Sequence, residues 1–178
     1  NDSELLRRIM TDLEILFLAG SSGDDELIID FNGGQPFSSH GSQFHGAAGR
    51  DTVLVIGNNA HLDLTQDTQV RLTDIEAIDL TGGSPQQLSL NAEEVIRVTT
   101  DGQSTLAIHH DDDDTVNCDS GWIGAGQAVT GNEFTHTFEK DGATLRITNS
   151  APWQNSTNRL DVDANGEVEA LDVLFLVN

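Results

Sequence analysis

The 178 residues carry 30 Asp and Glu against 8 Lys and Arg, a formal charge of −22, which repels phosphate backbones and anionic lipid and so excludes nucleic acid and membrane surfaces as partners. A chain of this length can bury a core without disulfides, and its single cysteine, Cys118, permits none within the chain; a lone thiol with no catalytic pattern beside it reads as a small buried hydrophobe. No apolar run reaches the roughly 18 residues of a membrane span, and a chain opening on Asn1 reads as a fragment or processed form, with any targeting signal upstream.

In chain order, Ser3 to Met10 sets Leu5, Leu6 and Ile9 at helical spacing beside Arg7 and Arg8, with Asp2 or Ser3 as a cap. That predicts a short helix, or the continuation of an upstream strand. Thr, Val, Ile and Leu then alternate with polar residues in short runs that predict strands over Glu14 to Leu18, Leu27 to Phe31, Thr52 to Ile56, Ala77 to Leu80, Gln87 to Leu90, Val95 to Thr99 and Thr105 to Ile108. Asn32 to Gly49, rich in Gly, Ser and His and holding Pro36, reads as a long loop. Phe134 to Phe138 alternates Phe-Thr-His-Thr-Phe, and after Lys140-Asp141-Gly142 the alternation resumes over Thr144 to Thr148, the pattern of a hairpin.

An internal repeat shapes the fold expected. Thr11 to Ser22 aligns with Thr73 to Ser84 at a constant offset of 62, and in each copy an apolar strand meets a Gly-Ser turn and then a second strand, so that residues 11–30 and 73–92 read as two copies of one unit. That is the layout of successive coils, and it predicts a mainly β, solenoid-like stack of strands over residues 1–150, closed by the hairpin, with a β-sandwich as the alternative. A short loop-and-helix module over residues 151–178 follows.

The signal for that module is Asp161-Val162-Asp163-Ala164-Asn165-Gly166-Glu167-Val168-Glu169-Ala170-Leu171-Asp172. Calcium takes six to eight oxygens, and a turn supplying them from positions 1, 3, 5, 7, 9 and 12 needs glycine at position 6 for its sharp bend. Asp161, Asp163 and Asn165 fall on the first three positions and Gly166 on the bend. Glu167 offers its carbonyl, Glu169 a carboxylate directly or through water, and Asp172 the last ligand. With Pro152 to Asn155 ahead of it and Leu171 to Asn178 behind, this stretch resembles one repeat of a type I dockerin. The resemblance covers about the last 25 residues and implies a calcium-held loop and helix. It departs from the family in having one repeat instead of two. Ala170-Leu171 also replaces the small hydroxylated pair that commonly serves cohesin recognition, so cohesin is not the partner expected.

A second acidic group, Asp111, Asp112, Asp113 and Asp114, follows His109-His110 and leads into Thr115-Val116 near Gly121-Trp122. With Ile75 to Leu80 upstream and Gly142 to Ile147 downstream, it is similar to segments near the C-termini of large bacterial repeats-in-toxin adhesins. The same acid-rich turn recurs as Asp24-Asp25-Glu26-Leu27 and Arg50-Asp51-Thr52-Val53. These turns are candidates for further calcium between coils, or for acidic corners that keep strands from pairing edge to edge. His109 and His110, as neighbours on a strand, point to opposite faces and do not meet one ion.

No nucleophile elbow, phosphate-cradling loop, dinucleotide fingerprint or His-Glu-x-x-His motif occurs, so an enzyme is not expected. The expected role is a calcium-binding structural or adhesive module of a secreted or cell-surface bacterial protein, with another copy or another surface protein as partner. The alternative is a polysaccharide-binding or polysaccharide-degrading module, for which only Trp122 and Trp153 could stack on a sugar ring.

Overall fold

The structure is a computed structural model that describes residues 15–38, 40–66, 69–83, 85–99, 104–130 and 133–150. The helix or strand expected over Ser3 to Met10 and the calcium loop expected over Asp161 to Asp172 lie outside the described residues.

The chain winds through three sheets that form the sides of a parallel β-solenoid of about four turns. The first sheet holds β1 (Leu16–Ala19), β3 (Ser42–His45) and β6 (Val70–Thr73). The second holds β2 (Glu26–Asp30), β4 (Thr52–Ile56), β7 (Ala77–Gly82) and β9 (Thr105–His110), and the third β5 (Ala60–Asp63), β8 (Gln86–Leu90) and β10 (Thr115–Cys118). Three further strands, β11 (Ile123–Thr130), β12 (Glu133–Lys140) and β13 (Ala143–Ser150), complete the second sheet in the order β11-β12-β13-β9-β7-β4-β2. All pairings are parallel except β11 with β12 and β12 with β13. The expected hairpin is the β12–β13 pair, joined by Asp141 and Gly142 at φ of 50° and 87°, the left-handed values a two-residue hairpin turn requires.

The alternation of each strand fills the interior. In β6, Val70 and Leu72 are buried while Arg71 is exposed, and in β8 Gln86, Leu88 and Leu90 point inward. In-register stacking aligns these residues into columns. One runs Leu27, Val53, Ile78, Ile108 and Ile147 through the second sheet, another Leu18, Phe44 and Leu72 through the first, and a third Leu62, Leu88 and Val116 through the last. Burying such columns is the main stabilising term, about 25 cal/mol per Å² of apolar surface withdrawn from water.

Four features differ from the sequence expectation. Val95 to Thr99 is not a strand: α1 spans Ala92–Val98. Asn91 caps it, its side chain accepting from the Glu94 N–H at 3.0 Å, with Glu93 and Glu94 in the first turn and Arg97 in the last. Cap and end charges outweigh the β-branched Val95 and Val98, which pack inward. Asn32 to Gly49 is not all loop, because β3 lies within it, hydrogen-bonded between β1 and β6. Cys118 is exposed, not buried. The offset of 62 does not relate equivalent positions. Leu16 pairs with Ser42 and Ser42 with Val70, so Ile78, which lies 62 after Leu16, falls one side further round, in β7. The two copies are the same strand-corner-strand unit on different sides of the solenoid.

Candidate functional site

The acid-rich turns form corners of the solenoid. Between the first and second sheets, Asp25, Asp51 and Glu76 each stand one residue before the in-register trio Glu26, Thr52 and Ala77, so the three acids stack in successive coils. Asp51 Oδ1 accepts from the Asp25 N–H at 2.8 Å across 26 residues, and Glu76 Oε2 accepts from the Asp51 N–H at 2.6 Å across 25. At the top of the column Asp25 Oδ2 takes the Ser21 N–H at 2.6 Å and the Ser21 hydroxyl at 2.9 Å. Asp24 repeats the device on the surface, accepting from the Arg50 N–H at 2.8 Å. A carboxylate that accepts backbone N–H groups makes charge-assisted bonds, roughly twice as strong as neutral ones. Corners, where the sheet ladder is broken, are where those donors would otherwise lack partners.

Close stacking at this corner demands glycine. A Cβ on Gly46 would collide with the Asp74 carbonyl oxygen and with Asp51 Oδ2, and one on Gly20 would collide with the Gly46 carbonyl oxygen. Asp51 is fully buried, and its Oδ2 has no hydrogen-bond partner among the described residues.

Asp111 to Asp114 form the next corner round, between β9 of the second sheet and β10 of the third. Asp114 is buried; its Oδ1 accepts from the Gln86 N–H at 2.8 Å across 28 residues, and its Oδ2 from the Asp111 N–H at 2.8 Å. Asp112 and Asp113 are exposed. The turn therefore directs one carboxylate inward as a staple and does not gather four around a point. Among the described residues no group of three or more His, Cys, Asp or Glu side chains is placed to hold a metal ion. Beside Asp114 the Gln86 side chain is fully buried, with neither amide atom hydrogen-bonded among the described residues.

The histidines are engaged separately. His45 Nδ1 lies 2.8 Å from Asp74 Oδ2 and 3.0 Å from Thr73 Oγ1. His61 Nε2 meets Ser89 Oγ at 2.9 Å, and His110 Nδ1 lies 2.8 Å from the Asp111 carbonyl oxygen, a contact that requires a proton on that nitrogen. His136 sits between Phe134 and Phe138 on β12, edge-on to the first with centroids at 4.5 Å and stacked on the second at 6.0 Å. His40, in the connection before β3, is exposed.

A further cluster joins the end of β10 to the hairpin. Asp119 accepts from the Lys140 ammonium and, at 3.0 Å, from the Trp122 ring N–H, while Lys140 also donates to the Ser120 carbonyl at 2.7 Å. The Lys140 bond holds the Asp119 carboxyl below its usual range. Crowding of the sulfur within the otherwise exposed Cys118, together with the Asp119 charge, pushes that thiol up to about 11. At neutral pH it is protonated and a poor nucleophile. Trp122 is half-buried and packed against the core, so its ring is not presented as a free platform.

The sequence marks the turns at Asp24-Asp25, Arg50-Asp51 and Asp113-Asp114, but not their role as staples. The missed signal is Gly20-x-x-Gly23-Asp24-Asp25 recurring 26 residues later as Gly46-x-x-Gly49-Arg50-Asp51. That spacing is the coil itself. Compared with family models, curated proteins and solved structures, the chain matches none. No helix among the described residues is long and apolar enough to cross a membrane.

Proposed function

We propose that the chain is a calcium-stabilised structural or adhesive module of a secreted or cell-surface bacterial protein. The observation that best supports this reading is the use of the acids at the corners. Asp24, Asp51, Glu76 and Asp114 tie one coil to another through backbone N–H groups instead of lining a cleft, as suits a scaffold more than a catalyst. A charge of −22 calls for screening by salt or divalent cations, as found outside cells. Calcium enters through Asp161, Asp163, Asn165, Glu167, Glu169 and Asp172, whose spacing is that of a calcium loop. Carboxylates gathered at one point repel until the cation arrives, so binding stabilises the folded form. The test is thermal unfolding of the full chain with calcium and after EDTA: chelation lowers the melting temperature, and Asp161→Ala abolishes most of that difference. Identical melting curves with and without calcium would remove the metal from the proposal.

A further inference from the structure

Among the described residues the three sheets present six edge strands, each hydrogen-bonded on one side only: β1, β6, β2, β11, β5 and β10. Five of them are four or five residues long, and β11 has eight. A free edge is a row of unpaired N–H and C=O groups, which proteins blunt with shortness, charge, proline or a bulge. β2 is short and carries Glu26 and Asp30. β11 reads Ile-Gly-Ala-Gly-Gln-Ala-Val-Thr, with no charged residue and no proline, and every residue in it is exposed. Its bulge falls near the start, between Gly124 and Gly126, so that Gly126 to Thr130 run on in regular register against β12. Alternate residues of that run turn their N–H and C=O groups away from β12. A Cβ added at Gly126 meets no described atom within 4 Å, so the space beside the strand is open.

We propose that β11 is a homotypic docking edge, pairing antiparallel with β11 of a second copy about a two-fold axis and joining two seven-stranded sheets into one. Charge selects this edge for a second copy. Residues 123–150 hold Glu133, Glu139 and Asp141 against Lys140 and Arg146, a net −1 of the chain's −22. Two copies meeting elsewhere bring most of their acids together, whereas at the hairpin end the repulsion is least. An antiparallel pair is also what a two-fold axis makes from one strand, with donors and acceptors matched by symmetry. With the axis at Ala128, Ala128 faces itself, Gln127 faces Val129 and Gly126 faces Thr130, so no charge opposes another and the residues at the centre are small. The pairing covers Val129, which is 37% exposed in the single chain. It uses none of residues 161–172 and is independent of calcium.

Sedimentation of the full chain in sodium chloride, from about 10 μM to about 1 mM protein, tests this. A monomer–dimer equilibrium is expected. Added salt favours the dimer, because it screens the repulsion between two acidic chains and leaves the strand hydrogen bonds in place. As the dimer forms, amide exchange in β11 slows by about tenfold or more while exchange in β2 is unchanged. Ala128→Asp and Ala128→Lys each lower the association constant by about fivefold or more, since like charges then stand opposite across the axis, and an equal mixture of the two variants restores it. Ala128 is exposed, and unchanged exchange in β9 and β13 verifies that both variants fold. A chain that stays monomeric over this range, assemblies larger than a dimer, a dimer that salt weakens, β11 exchange that ignores concentration, or a mixture no better than either variant alone would each overturn the proposal.

Discussion

The two ends of the solenoid solve one problem differently. At the C-terminal end, α1 takes the next place in the first sheet and β13 returns beside β9, so that Leu106, Ala143 and Leu145 are each no more than 1% exposed. At the N-terminal end the described chain begins with β1, and inward-pointing Leu18 is 39% exposed. Both ends use alternating strands of similar composition. The difference teaches that burial in a stack comes from the neighbouring coil, not from a strand's own hydrophobicity.

That contrast can be broken or sharpened by measurement. The largest effect is expected at the closed end, where Leu145→Ala opens a cavity in a filled column and lowers stability by about 2–5 kcal/mol in urea unfolding. Leu18→Ala at the open end removes the same atoms and is expected to cost less than half as much. Equal losses would mean that the first coil is as well covered as the last. Between the ends, Asp51→Ala removes the acceptor of the Asp25 N–H and is expected to cost about 1–3 kcal/mol. Asp51→Asn, which keeps an acceptor and offers a donor in place of the unpartnered Oδ2, should cost less; a cost as large as that of alanine would assign the effect to the charge instead of the hydrogen bond. The smallest change is at Asn91, where alanine removes the cap of α1 and is expected to cost about 1 kcal/mol, read as faster amide exchange in α1 and at the Ile75 N–H that it covers.

The strands of the second sheet were the most legible part of the fold. Thr52 to Ile56 and Thr105 to Ile108 are short apolar, partly β-branched runs, and the Asp141-Gly142 turn carries its conformation in its residue types. Strands such as Ser42–His45, Ala60–Asp63 and Thr115–Cys118 were not legible, because four residues with one or two apolar members are too short to show a period. Their stability comes from hydrogen bonds to coils on one or both sides. Val95 to Thr99 misled for the opposite reason: its β-branched residues look strand-like, but the cap and the Glu94–Arg97 ion pair precede and enclose them. Of the acid turns, the positions were legible and the purpose was not. Asp51 and Asp114 differ from exposed acids only in having a coil stacked against them.

By itself the sequence determined the β character of the chain, the hairpin at Asp141-Gly142 and the places where acids mark turns, because alternation, left-handed turn residues and local charge are properties of neighbours along the chain. Only the tertiary structure decided which side of the solenoid each strand occupies and that Asp24, Asp51, Glu76 and Asp114 are staples between coils. Those facts depend on which residue lies one coil away, and that pairing is set by the packing of whole columns, not by any local pattern.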